Sequence, residues 1–195
     1  MVKSPSVPLA DLTRILTGYT FRTRIEDDPG GSFRVIQGKD IRPDCSLNAE
    51  NLTPIHLPDR SYSDPEKRVK PGDVLLMTRG DYNYAVFIDT QLPPTVTQNS
   101  FCTLRVIDGA GIYPDYLATI LNQPALQARL KSLRSGSSIP NITLGALKEI
   151  EIPVPPLHFQ AEIVNLAQAI RREKSLADQV HAARLRQLDA LTASL

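Results

Sequence analysis

Side chains that can recognise nucleic-acid bases stand close together in one short stretch of the sequence. Arg79, Tyr82, Asn83 and Tyr84 lie between two apolar segments. Arginine and asparagine can form paired hydrogen bonds with the edges of guanine and adenine. The two tyrosines could stack on bases or reach phosphates. The stretch therefore suits contact with DNA, although an ordinary hairpin loop with a structural tyrosine pair would have the same composition.

A second stretch, residues 129–148, is basic and includes a loop of small polar residues. The sequence has no acidic residue between Asp115 and Glu149. Positive side chains neutralise phosphates, and hydroxyl groups and backbone amides suit phosphate oxygens. The candidate phosphate-binding residues here are Lys131, Arg134, Ser135, Ser137, Ser138 and Asn141. A solvated helix face followed by a cap is the alternative interpretation.

A third and weaker group consists of Lys39 with Tyr19 and Arg22 upstream. Catalytic chemistry has no comparable signature. The histidines and cysteines lack metal-ligand spacing, and no glycine-rich phosphate loop or nucleophile motif occurs. A hydrolase built on Asp81 and Tyr82 would lack a base. We therefore expect no catalytic activity in the isolated chain, and neither a metal nor a cofactor.

Composition narrows the class of protein further. The chain has 195 residues, with 22 Lys plus Arg against 21 Asp plus Glu, so a purely electrostatic nucleic-acid binder is disfavoured. Its two cysteines, Cys45 and Cys102, are far apart, which is typical of a reducing compartment. No apolar run has the length of a signal peptide or a membrane span. We expect a cytoplasmic protein.

The elements that must position these side chains form a predicted α+β body over residues 1–156. Its strands come early and its helices late, and residues 42–65 read mostly as loop. The predicted strands are 33–37, 74–78, 84–88, 100–107 and 151–155. The predicted helices are 8–16, two segments opened by Pro114 and Pro124, and 144–150 capped by Thr143. We expect a small β-sheet with several helices around it.

Residues 157–195 are predicted to form one long helix. Spacings of three and four residues place a largely apolar stripe on one of its faces. The stripe consists of Phe159, Ile163, Leu166, Ile170, Glu173, Ala177, Val180, Arg184, Leu188, Leu191 and Leu195. A helix of roughly 57 Å exceeds a body about 30 Å across, so it must project and needs a partner helix. The alternative is a helix that folds back onto the body.

The order of motifs resembles a known family. It runs "LTGYTF", "IQGKDI", "VKPGDVLLMTRG", "YPDYLATILN" and "SGSSIPNITLGALKEIEIPVPPLHFQAEIV", followed by the long helix. The last motif is the most specific, because it joins a polar loop, a threonine-capped helix and a proline-rich turn. The sequence is similar to the DNA specificity subunit of type I restriction–modification systems, and the resemblance covers essentially the whole chain.

The resemblance implies a non-catalytic subunit that recognises double-stranded DNA. In that family each target-recognition domain reads one half of a bipartite sequence. Each is followed by a long helix, and two such helices pair antiparallel as a spacer. Methyltransferase subunits carry the S-adenosylmethionine chemistry, and a restriction subunit is a further candidate partner. The usual subunit has two domains and two helices, whereas this sequence has one of each, so it is either a half-subunit or half of a longer protein.

For a half-subunit we expect an antiparallel homodimer held by the long helix. The residues expected at its interface are Ile163, Leu166, Ile170, Glu173, Ala177, Val180, Arg184, Leu188 and Leu191. Glu173 and Arg184 lie on opposite sides of the midpoint of the stripe, so each would face the other residue of the partner helix. The DNA target would then be an inverted repeat. The competing class is a protein-binding adaptor with a coiled-coil tail that does not itself read DNA.

Overall fold

The computed structural model describes residues 4–57, 64–136 and 140–193. The strands are β1 (Ser6–Pro8), β2 (Thr13–Thr17), β3 (Phe33–Ile36), β4 (Thr53–Ile55), β5 (Val74–Met77), β6 (Ala85–Phe87), β7 (Thr95–Thr97), β8 (Phe101–Val106), β9 (Arg134–Ser135), β10 (Asn141–Ile142) and β11 (Glu151–Pro153). The helices are α1 (Leu9–Leu12), α2 (Pro114–Leu121), α3 (Pro124–Ser132), α4 (Leu144–Lys148) and α5 (Leu157–Thr192). Small sheets, short helices and one long helix confirm the predicted α+β class.

The central sheet has the strand order β2-β8-β5-β6, and its neighbouring strands are antiparallel. Successive residues of a strand point to opposite faces, so each strand can serve two cores. On β5, Val74 and Leu76 pack in the larger core with Leu117 of α2. Leu75, between them, packs in a second core with Ile36. The near-continuous apolar run on this strand follows from burial on both faces.

A second sheet has the order β4-β3-β7, with β3 and β7 parallel. Val35, Ile55 and Val96 form its small core, and Tyr19 and Phe21 pack against it. The chain leaves this sheet through β7, turns at residues 98–100 and enters the central sheet as β8. The two sheets are therefore joined at the edge where this turn lies.

Several sequence predictions need correction. The predicted helix 8–16 is wrong beyond Leu12, because residues Thr13–Thr17 are the strand that pairs with β8. Residues 42–65, predicted as mostly loop, include the strand β4 (Thr53–Ile55), and β7 was not anticipated. These strands are only three to five residues long, and their pairing partners lie far away in the sequence. Tertiary pairing therefore outweighs local propensity here.

The proline-rich turn before the long helix is tied to the start of the chain. In the two-stranded sheet of β1 and β11, Val7 is the register partner of Ile152. The backbone N–H of Val154 donates to the carbonyl of Pro5 over 2.9 Å. Proline is not accepted within a central strand, so Pro155 and Pro156 end the sheet. Because proline is accepted at the start of a helix, α5 can begin directly after them, at Leu157.

Gln160 fixes the base of α5 against the body. Its side chain is fully buried. Its Oε1 accepts from the N–H of Tyr113 over 2.9 Å. Its Nε2 donates to the carbonyl oxygens of Gly111 and Pro155, each over 2.8 Å. One turn further along, Val164 is buried in the larger core, so the first turns of α5 are attached to the body.

The rest of α5 projects from the body. The helix has 36 residues, which corresponds to about 54 Å. Within its described residues only Gln160 and Val164 are buried. Leu166 and Ile170 of the predicted stripe are 64% and 57% exposed. The stripe is thus uncovered in the single chain, against the alternative of a helix folded back on the body; Leu195 lies outside the described residues. None of the helices in the described ranges has the length and apolarity that crossing a membrane requires.

Candidate nucleic-acid interface

The loops singled out in the sequence meet at one edge of the two sheets. Around the turn 98–100, the N–H of Thr78 donates to the carbonyl of Ser100 over 2.8 Å. The N–H of Tyr19 donates to the carbonyl of Thr97 over 2.7 Å. The N–H of Gln98 donates to the carbonyl of Ile36 over 3.0 Å. The segments that follow β2, β3 and β5 therefore lie side by side. We call this surface the polar edge; it comprises residues 19–28, 37–39, 78–84, 98–100, 134–136 and 140–142.

Two stacked tyrosines stand at the exposed end of loop 78–84. The rings of Tyr82 and Tyr84 are 5.1 Å apart and almost parallel, with an angle of 7° between them. Tyr82 is 61% exposed, whereas Tyr84 packs against the second core. Burial, with Tyr82 as a further cause, raises the pKa of Tyr84. The inner ring supports the outer ring, which presents a flat apolar face and a hydroxyl group to solvent.

Arg79 is an exposed arginine whose side chain has one hydrogen-bond partner among the described residues. Its Nε donates to Oδ1 of Asn141 over 3.3 Å, and the two residues also form a β-bridge. Within the described ranges its Nη groups have no hydrogen-bond partner, so the outer part of the guanidinium is available to a ligand. The next residue, Gly80, has a φ of 103°, which a residue with a side chain rarely adopts.

Asn83, predicted to line the DNA groove, is an internal residue instead. It is 1% exposed. Its Nδ2 donates to the carbonyl of Met77 over 2.8 Å, and its Oδ1 accepts from Nε and Nη2 of Arg134 over 2.8 and 2.6 Å. Burial and these bonds remove its side chain from the set available to bases. Its position between two apolar strands gave no sign of this, because its partner lies far along the chain.

Arg134, predicted as a phosphate ligand, is likewise hydrogen-bonded within the protein. Besides Asn83, its Nη2 donates to the carbonyl oxygen of Asp81 over 2.8 Å. Ser135, also predicted, is exposed and its hydroxyl donates to the carbonyl of Asn141 over 3.4 Å. Ser137 and Ser138 lie outside the described residues. The structure therefore gives Arg134 an internal partner and leaves Ser135 at the surface.

Lys131 is an exposed cation in the last turn of α3. Gln127, one helical turn earlier, donates from Nε2 to the carbonyl of Asn83 over 2.9 Å. Residues four apart share one face of a helix, so Lys131 lies on the side of α3 that borders this loop. It has no hydrogen-bond or ion-pair partner in the described part of the chain.

Lys39 and Arg22 lie at the other end of the polar edge. Lys39 is in a turn that the buried carboxylate of Asp40 secures by accepting from the N–H of Gln37 over 2.8 Å; burial raises the pKa of Asp40. The ammonium group of Lys39 donates to the hydroxyl oxygen of Thr53 over 3.1 Å. Arg22 is exposed on the loop after Tyr19, whose ring meets Phe21 edge-on at 4.7 Å.

Sequence reasoning missed the turn that joins the two ends of this surface. Gln98 lines a cleft of about 580 Å³ together with Lys39 and Arg24. Asn99 donates from Nδ2 to the hydroxyl oxygen of Thr20 over 3.3 Å. Their place in the fold depends on the pairing of two sheets. Only the polar run "QNS" before a strand could have drawn attention to it. Among the described residues, no group of three or more His, Cys, Asp and Glu side chains could hold a metal ion.

Comparison with known proteins gives one family. The family model described as "Type I restriction modification DNA specificity domain" matches residues 1–194. The chain is 25% identical over 163 residues to the type I restriction enzyme MjaIX specificity subunit of Methanocaldococcus jannaschii. This match covers 81% of the chain and 35% of that relative, so the chain spans about a third of its length.

Solved structures share the fold. The S subunit of a type I restriction–modification system from M. genitalium has a TM-score of 0.57 at 17% identity, over 92% of this chain and 42% of that one. The HsdS subunit from Thermoanaerobacter tengcongensis has a TM-score of 0.60 at 20% identity, over 92% and 40%. A third structure, which concerns complex assembly and conformational transition of the type I R-M system, has a TM-score of 0.63 at 21% identity, over 98% of this chain and 44% of that one.

Proposed function

The chain belongs to the family of type I restriction modification DNA specificity domains, and from this premise we propose that it reads one half of a bipartite target in double-stranded DNA. The observation that carries the proposal is the convergence on the polar edge of loops that are far apart in the sequence. A surface built this way presents arginine, lysine, amide and aromatic groups together, which are the side chains that contact base edges and phosphates.

Within this surface we assign base reading to loop 78–84. Arg79 has a free guanidinium end that suits a guanine edge, and Tyr82 offers a supported ring and a hydroxyl group. Phosphate contacts would position the domain without reading sequence. Their candidate ligands are Lys131, Ser135, Lys39, Arg22 and Tyr19. Asn83 and Arg134 are left out because their polar groups are engaged within the protein.

We propose further that α5 is the spacer between two recognition domains and pairs antiparallel with α5 of a second copy. The helix turns by about 100° per residue, so the stripe through Ile163 lies on a different side from Val164, which faces the body. Pairing can therefore cover the stripe without displacing the body. Glu173 would face Arg184 of the partner helix, and the same pair would recur across the two-fold axis.

The catalytic partners would be methyltransferase subunits, with a restriction subunit as a further candidate. Support comes from two exposed leucines that lie off the stripe, Leu176 and Leu185, at 57% and 48% exposure. An antiparallel pair of helices covers the stripe and leaves these side chains at its flanks. A helix that is apolar on several sides is suited to contact with more than one partner. Recognition would belong to this chain and methylation to the partner subunits.

Selection from random duplex DNA tests the proposed function. The chain should enrich one sequence, and Arg79→Ala should relax one base position at a cost of about 1–3 kcal/mol. Arg14→Ala is the matched control, because Arg14 is an exposed arginine near the start of β2, away from the polar edge. Failure to enrich any sequence, with the chain folded, would favour the protein-binding adaptor instead.

A further inference from the structure

Loop 78–84 is held from one side by the hairpin of β9 and β10. The N–H of Gly80 donates to the carbonyl of Pro140 over 3.1 Å, and the N–H of Ile142 donates to that of Thr78 over 2.9 Å. Arg134 adds its bonds to the carbonyl of Asp81 and to Oδ1 of Asn83. The hairpin thus contacts the loop at its start, its middle and its end.

The helices hold the same loop from the other side. Asn122 exchanges two hydrogen bonds with the backbone of Ala85, at 2.7 and 3.0 Å. Gln127 donates to the carbonyl of Asn83 over 2.9 Å. The backbone of the loop is therefore fixed by α2, α3 and the hairpin together. Arg134 contributes a charged side chain to these contacts.

We propose that Arg134 is a positioning residue, which sets the base preference of loop 78–84 without contacting DNA itself. This inference rests on the proposed function. The planar guanidinium of arginine can donate in two directions at once, here to a backbone carbonyl and to a buried amide oxygen. Asn83 then passes the restraint to Met77 at the end of β5. Without the guanidinium of Arg134, the loop that carries Arg79 and Tyr82 loses its side-chain restraint at Asp81 and Asn83.

The expected effect of losing Arg134 is weaker base discrimination, because loop 78–84 would no longer be pre-organised. A base is discriminated well only if the reading side chain is already held in the productive geometry by its supporting contacts. A loosened loop would contact right and wrong bases more equally, so discrimination falls. The net charge near DNA stays the same when lysine replaces Arg134, because lysine keeps the charge but lacks the planar fork. A direct phosphate ligand would tolerate this replacement, whereas a positioning residue would not.

The test uses the full chain and the duplex that the wild type selects. Arg134→Lys should reduce discrimination at one or more base positions by roughly tenfold, with no change in the slope of log affinity against log salt. Lys131→Ala is the contrasting variant: its slope should fall by about 0.9 while the base preference is kept. Amide exchange in loop 78–84 should speed up in Arg134→Lys and stay unchanged in Lys131→Ala.

An Arg134→Lys chain with unchanged base preference would overturn the inference and leave the proposed function intact. A wild-type chain with no base preference would overturn the proposed function as well. If Arg134→Lys does not unfold cooperatively, Arg134→Gln carries the same test. A fall in its salt slope with an unchanged preference would make Arg134 a phosphate ligand, and a relaxed preference with an unchanged slope would support positioning.

Discussion

Replacing Gln160 with alanine should loosen the attachment of the long helix to the body. The side chain is fully buried and makes three hydrogen bonds, to the N–H of Tyr113 and to the carbonyl oxygens of Gly111 and Pro155. Alanine would leave these backbone groups without their partners. The bond to Pro155 lies in the interior, whereas the other two are nearer the surface, where water can replace the amide.

The expected loss of stability follows from this difference in burial among the three hydrogen bonds. A buried polar group without a partner costs about 1–3 kcal/mol, and groups that water can reach cost much less. We therefore expect Gln160→Ala to lower the free energy of unfolding by roughly 2 kcal/mol, most of it from Pro155. With a urea slope of about 2 kcal/mol per molar, the midpoint should fall by about 1 M.

Urea unfolding at one fixed protein concentration measures this change, since any pairing of chains would add a concentration dependence. Gln168→Ala is the matched control, because Gln168 is an exposed glutamine on the same helix, and its effect should stay within about 0.5 kcal/mol. A Gln160→Ala chain within about 0.5 kcal/mol of wild type would refute the reasoning that this amide secures the helix.

Three further predictions follow from other contacts. Arg105→Met should destabilise the fold by about 3 kcal/mol in the same unfolding assay, because the buried carboxylate of Asp73 loses both of its 2.8 Å contacts with Arg105 and keeps the bond from the N–H of Lys70; a loss below about 1 kcal/mol would contradict this. Burial raises the pKa of Cys45 to about 11, so only about one thousandth of this thiol is ionised at pH 8, and alkylation should accelerate with each pH step up to that value; rapid labelling at pH 8 would contradict it. In sedimentation, Glu173→Arg should weaken self-association and adding Arg184→Glu should restore it, whereas a double variant that stays weak would rule out the antiparallel register.

Patterns within one segment predicted the elements that local rules control. Pro114 and Pro124 begin helices α2 and α3, and the Thr143 hydroxyl accepts from the N–H of Ala146 as the cap of α4. The three- and four-residue spacing of the stripe predicted α5 to its last turns. These features need only neighbours in the chain, so the sequence expresses them directly.

Features that depend on distant partners were missed or misjudged. Residues Thr13–Thr17 become a strand because β8 supplies their partner. Asn83 and Arg134 suit DNA contact by type, yet they bind each other across 51 positions of the chain. Gln160 lies in the last and most specific sequence motif, but no structural role was predicted for it. Side-chain chemistry in the sequence thus indicates what a residue can bind, and the fold decides which partner it meets.

The stoichiometry of the complex with the selected duplex tests the central claim most directly. We predict that sedimentation of the full chain with that duplex gives two chains for each DNA molecule, and that the selected sequence is an inverted repeat with a fixed gap. A spacer helix of about 54 Å would place the half-sites between one and two turns of DNA apart, at roughly 34–36 Å per turn. One chain bound to a single unrepeated site, or no sequence-selective complex at all, would contradict the account.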